Sequence, residues 1–91
     1  MNKITLDLTG CKSLLELHRI IKETFNFPDH YGENLSALWD CMWEYLRPNT
    51  IVYIKGLGTL PKDFEEYIKK IFEIFEDVQE EVENITFEII S

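Results

Sequence analysis

The chain is predicted to be an α/β protein, a small three-stranded parallel sheet packed with helices. Three observations lead there. Short runs of apolar and β-branched residues fall at 4–8, 50–54 and 85–90, and segments of helical periodicity lie between them. A helical crossover between strands favours parallel pairing. Finally, 91 residues with 45% apolar composition can fill one small core, which predicts a single domain over 1–91.

The first strand, Ile4-Thr5-Leu6-Asp7-Leu8, alternates apolar and polar residues and ends at Thr9-Gly10. Ser13 and Glu16 then form a capping-box pattern ahead of a helix whose apolar positions include Leu14, Leu17, Ile21 and Phe25. It should stop before Pro28. His18 lies beside that stripe and reads as a buried, hydrogen-bonded histidine rather than a catalytic one. A second helix starts near Asn34 and places Leu35, Leu38, Met42 and Leu46 on one buried stripe.

Arg47-Pro48-Asn49 is a turn into the strand Thr50-Ile51-Val52-Tyr53-Ile54, whose nearly continuous apolar character suits an interior place in a sheet covered by helices. Lys55-Gly56-Leu57-Gly58-Thr59 reads as a flexible connection. Its two glycines do not make a phosphate loop, because the Gly-Lys-Ser/Thr ending is missing. Pro61 suits the first position of a helix carrying Phe64, Ile68, Ile71, Phe75, Val78 and Val82 at alternating four- and three-residue steps. One helix over 61–83 would overshoot the short strands, so a bend or break is expected in its first turns. Ile85 to Ile90 closes the chain as a strand.

Composition excludes several classes of function. Nine basic against seventeen acidic side chains give a net charge of −8, which opposes a phosphate-neutralising nucleic-acid surface and favours a basic partner. No apolar run has the length of a membrane span, and Met1-Asn2-Lys3 leads into a strand rather than a signal sequence, so a cytoplasmic protein is expected. Cys11 and Cys41 are then reduced, buried thiols. Nothing supplies a nucleophile with a positioned base, a metal-ligand cluster or a cofactor motif, so no catalytic, metal or cofactor site is assigned. A metal-dependent hydrolase built on the acids is the weakest reading.

The most informative stretch is His30-Tyr31-Gly32-Glu33-Asn34-Leu35-Ser36-Ala37-Leu38-Trp39-Asp40-Cys41-Met42-Trp43. Gly32 can take backbone angles that other residues avoid, which suits the turn, and Asn34 can cap the helix. Ser36, Asp40 and Glu44 follow at four-residue spacing on the solvent side, and Trp39 and Trp43 border them. Indoles beside a carboxylate row suggest a protein contact surface, unless both simply fold under neighbouring segments.

The run from Pro28 to Cys41 resembles the hallmark segment of the barstar family, intracellular inhibitors of secreted bacterial ribonucleases. The similarity extends from Ser13, Leu17 and His18 to the last strand. The resemblance implies the barstar-like fold and a partner that is a basic ribonuclease, with the acidic helix standing in for RNA phosphate. Asp40 falls on the family's dominant hot-spot aspartate, and Gly32, Asn34 and Trp39 fall on contact positions. Asp77 falls where the family has an interface glutamate, and Glu81 on another acidic position. Three places depart from the pattern: His30 replaces an interface tyrosine, Ser36 a second interface aspartate, and Trp43-Glu44 a Thr-Gly pair.

The expected partner-binding set is therefore His30, Gly32, Asn34, Ser36, Trp39, Asp40, Trp43, Glu44, Asp77 and Glu81, on a protein that is monomeric when free. The departures point to a related but distinct nuclease. His30 would add pH dependence, since a protonated imidazole opposes a cationic partner. The alternative is a barstar-like immunity module for another basic protein, such as a non-ribonuclease toxin.

Overall fold

The structure, a computed structural model, describes residues 1–90. Strands β1 (Asn2–Asp7), β2 (Thr50–Lys55) and β3 (Ile85–Ile89) form one parallel sheet in the order β1-β2-β3. Helix α1 (Leu14–Phe25) and helix α2 (Leu35–Tyr45) connect β1 to β2, and helix α3 (Glu65–Glu81) connects β2 to β3. The expected α/β class and the parallel pairing are both present.

Local chemistry sets the helix ends. Ser13 Oγ accepts the N–H of Glu16 at 3.1 Å, while the Glu16 carboxylate accepts from Lys12 at 3.3 Å, one residue earlier than a reciprocal capping box requires. Asn26 closes α1 in the left-handed region at φ 57°, two residues ahead of Pro28. Leu17, Ile21 and Phe25 are buried, but Leu14 is 39% exposed and leaves the predicted stripe. It is the first residue of α1.

Register explains which strand residues build the core. Ile4 pairs with Val52 and Leu6 with Ile54, so the row Leu6, Val52, Ile54 and Ile85 faces the helices and is almost wholly buried. Leu17, Ile21, Leu38, Met42, Ile71, Phe75 and Val78 meet it from the helices. Each such side chain contributes roughly 1.5–3 kcal/mol relative to exposure. The opposite row is different. Lys3, Thr5, Asp7, Thr86 and Glu88 are exposed, and Ile51 and Tyr53 are half-buried. β2 is central as expected, yet only one face of the sheet is covered; its apolar run exceeds what the open face requires.

Two connections correct the sequence reading. Lys55 to Thr59 is not a flexible link but leads into a 3₁₀ turn, Leu57–Thr59, pinned by Thr59 Oγ1, which donates to Gly56 O at 2.7 Å and accepts from Gly10 N–H at 3.1 Å. Gly56 holds φ 84°, and a Cβ there would sit 2.4 Å from Thr9 N, so the turn is packed against the end of β1. Pro61 precedes a second 3₁₀ turn, Lys62–Phe64, and α3 begins only at Glu65. This is the break expected in the helix's first turns.

β3 is an edge strand. Ile90 donates toward β2, to Ile54 O at 2.8 Å, so by alternation the N–H of Phe87 points to the open edge. Gln79 Oε1, reaching across from α3, accepts it at 3.2 Å. The Phe87 ring stacks on Phe75 with centroids 4.5 Å apart, which fixes the flank of α3 that faces β3.

Candidate protein-binding site

The loop before α2 is held from below by buried contacts. Tyr31 donates its N–H to Pro28 O at 3.0 Å and turns its ring inward, 4% exposed and 5.2 Å from Phe27. Its hydroxyl lies 2.6 Å from His18 Nδ1, and the other imidazole nitrogen meets the hydroxyl of Tyr67 on α3 at 2.5 Å. A neutral imidazole has one donor and one acceptor, so one tyrosine accepts and the other donates. Burial pushes the His18 pKa down, with Glu33 opposing, and burial pushes both tyrosines up. His18 is thus the buried, bonded histidine that the sequence predicted. One exposed ion pair, Lys22 to Asp29 at 3.3 Å, adds a further tie of little energy.

Asn34 starts α2 as expected. Its Oδ1 accepts from Ala37 N–H at 2.8 Å, and its Nδ2 donates to Gly32 O at 3.1 Å, fastening the loop to the helix. The left-handed residue of the turn, however, is Glu33 at φ 54° and not Gly32. Gly32 matters for space instead, since a Cβ would lie 3.4 Å from both Ala37 Cβ and Asn34 Nδ2.

Leu38, Cys41, Met42 and Leu46 are buried and Leu35 half-buried, while Ser36, Asp40 and Glu44 are exposed with His30, Gly32, Glu33 and Asn34. The helix therefore presents the expected carboxylate row to solvent. The two indoles differ. Trp39 is 38% exposed; Trp43 is half-buried against the core, edge-on to Trp39 at 5.5 Å and 65°. Trp43 Nε1 is sealed from solvent and has no hydrogen-bond partner. The half-burial comes from packing against the core, which helical spacing within α2 does not encode.

Asp77 and Glu81 are exposed on α3. Tyr67 and Gln79 fix the orientation of that helix, the first bonding to α1 and the second to β3. At about 100° per residue, Asp77 and Glu81 fall on the Tyr67 flank, away from Gln79. That flank faces α1 through the bond between Tyr67 and His18.

Cys11 and Cys41 are free and buried. Burial raises both thiols, and Glu44 and Asp40 add to the shift at Cys41. Among the described residues no three His, Cys, Asp or Glu side chains are grouped to hold a metal ion, and no helix is long and apolar enough to cross a membrane.

Sequence reasoning missed Tyr67 and the strained Glu33. Tyr67 carries a signal, lying one place before Ile68 of the apolar stripe; Glu33 carries none. The arrangement offers exposed carboxylates and one exposed indole on a capped helix.

Comparison with known proteins identifies the family. Residues 1–90 match the family model described as "Barstar (barnase inhibitor)". A Bacillus subtilis (strain 168) protein named "Putative ribonuclease inhibitor YrdF" is 31% identical over 90 residues, spanning 99% of this chain and 98% of the relative. The chain belongs to the barstar family.

Proposed function

We propose that the chain inhibits a basic ribonuclease of the extracellular type, setting the exposed face of α2 and the loop before it into the enzyme's active site. The observation that carries this reading is the exposed Asp40 carboxylate, on a helix capped by Asn34 and backed by buried Leu38 and Met42, with exposed Trp39 beside it. A ribonuclease presents cations to RNA phosphate, and a fixed carboxylate can occupy the same place. Trp39 supplies water-excluding contact around the ion pair. Asp77 and Glu81 extend the acidic surface from α3, and the net charge of −8 steers the encounter. His30, Gly32, Asn34, Ser36, Trp43 and Glu44 complete the contact set.

In this reading the chain is one domain, monomeric when free, working in the cytoplasm by occlusion and not by chemistry of its own. The test is inhibition of a panel of small basic secreted ribonucleases by the purified chain, with Asp40→Ala alongside. A desolvated anchor should cost several kcal/mol in inhibition, against about 1 or less for a rim charge. An Asp40→Ala chain as potent as the parent removes the assignment.

A second reading rests on the departures at His30, Ser36 and Trp43, which alter charge and shape on this face. They favour a basic partner unlike the family's usual one, including a toxin that is not a ribonuclease. Capture of partners from the source cell, assayed for RNA cleavage, separates the two.

A further inference from the structure

The buried chain from Tyr31 through His18 to Tyr67 has one favoured direction. Among the described residues the Tyr31 hydroxyl has a single hydrogen-bond partner, His18 Nδ1 at 2.6 Å, and Tyr31 is 4% exposed. If His18 carried its proton on Nδ1, that N–H would fill the bond and leave the Tyr31 O–H in the interior with no acceptor, which is costly. With the proton on Nε2 the conflict vanishes. Tyr31 then donates to Nδ1, and Nε2–H donates to the hydroxyl of Tyr67 at 2.5 Å. Tyr67 is half-buried, so of the two hydroxyls it is the one with a route to water for its own proton.

The inner end of this chain lies in the loop that carries His30, Gly32 and Asn34. Those three residues and Glu33 are exposed, Glu33 with a left-handed φ of 54°, while Tyr31 among them is buried. Besides the bond to His18, Tyr31 has one polar tie, its N–H to Pro28 O at 3.0 Å. Ordering a loop at the moment of binding costs affinity, and a loop ordered beforehand avoids that cost.

We propose that Tyr67, outside the contact set, is a positioning residue for the partner-binding loop: by accepting His18 Nε2–H it selects the tautomer whose Nδ1 anchors the Tyr31 hydroxyl. The inference rests on the inhibitor reading above and adds to it a residue that acts without touching the partner. Without the Tyr67 hydroxyl, either tautomer leaves one group of the chain unpaired. The two then come closer in energy, and the Tyr31 anchor is made only part of the time.

The test uses Tyr67→Phe, which keeps the ring and deletes the hydroxyl. In ¹⁵N-labelled free chain the two histidines give two sets of ring signals, and the set that persists in His30→Gln belongs to His18. At about pH 7.5 that set should show Nε2 protonated in the parent and a mixture of tautomers in Tyr67→Phe. Against the panel ribonuclease inhibited most strongly, Tyr67→Phe should associate about fivefold more slowly and dissociate at nearly the parent's rate. It lowers the fraction of chains ready to bind and removes no contact. The deficit should persist at high salt, unlike that of a lost surface charge. In Tyr31→Phe the chain is already cut at the loop, so adding Tyr67→Phe should slow association no further. A parent His18 with its proton on Nδ1, an unchanged association rate in Tyr67→Phe, or slowing that multiplies in the double variant overturns the proposal. If Asp40→Ala weakens inhibition while Tyr67→Phe leaves association unchanged, only the positioning role falls. If Asp40→Ala is as potent as the parent, or no panel enzyme is inhibited, the inhibitor reading falls and takes this one with it.

Discussion

The His18 imidazole and the Tyr31 hydroxyl meet at 2.6 Å in the interior, and through them α1 holds the loop that carries the candidate binding surface. Because Tyr67 occupies the second ring nitrogen, three separate segments share one buried polar network. Removing one hydroxyl leaves a ring nitrogen unpaired. Tyr31→Phe should cost about 1–3 kcal/mol in urea unfolding.

The same network gives stability a pH dependence of definite sign. Burial lowers the folded-state pKa of His18 from its usual 6.5. The unfolded chain therefore takes up a proton before the folded one does. Stability is fully present above the unfolded value and is lost as pH falls through it toward the folded value. Urea unfolding at about pH 7.5 and about pH 5 should show a loss on acidification that shrinks in His18→Gln, which keeps a donor and an acceptor but does not titrate. An equal loss in both proteins would place the acid sensitivity elsewhere.

Glu33 has two opposed effects. Its left-handed backbone at φ 54° is strained for a glutamate, while its carboxylate supports protonated His18. Glu33→Asn should gain up to about 1 kcal/mol at neutral pH, since asparagine enters that region more readily. With the carboxylate gone, the folded-state pKa of His18 drops further. The variant should then lose more stability than the parent between about pH 7.5 and about pH 5. Paired urea titrations at the two pH values measure both effects.

What could be read from the sequence was local. Ser13 and Asn34 were legible as caps because a cap is defined within three residues, and both bond as expected. Asp40 and Glu44 were legible as exposed because helical periodicity sorts faces. Contacts made across the chain were not. Tyr67 reaches His18 over 49 positions, and Gly56 packs on Thr9 through the end of a neighbouring strand. Trp43 is the instructive case for the binding surface: spacing put it at the border of the buried stripe, and only its packing against the core decided that its nitrogen is enclosed.

Gln79 guards the open edge of the sheet. Its side-chain oxygen takes the Phe87 N–H that would otherwise be free to pair with another strand. Gln79→Ala should cost about 0.5–1.5 kcal/mol, speed amide exchange at Phe87 and raise self-association at high concentration. Gln79→Glu retains the acceptor and should protect the amide as the parent does. Amide exchange and sedimentation on the three proteins decide it, and equal Phe87 exchange in all three would deny the cap any role.

Under the inhibitor reading, the orientation of α3 separates acids that face the partner from acids that do not. Asp77 and Glu81 fall on the Tyr67 flank, toward α1, whereas Glu76 lines the groove with Gln79 and Phe87 on the other. Exposed charges act on encounter mainly within a Debye length, about 8 Å at physiological salt. Asp77→Asn and Glu81→Gln should each slow association with the inhibited ribonuclease severalfold at low salt, and the difference should fade as salt rises. Glu76→Gln changes net charge by the same amount but should leave the rate nearly unchanged. Equal slowing by all three variants would mean that net charge alone steers the encounter, and that the α3 flank makes no separate contribution.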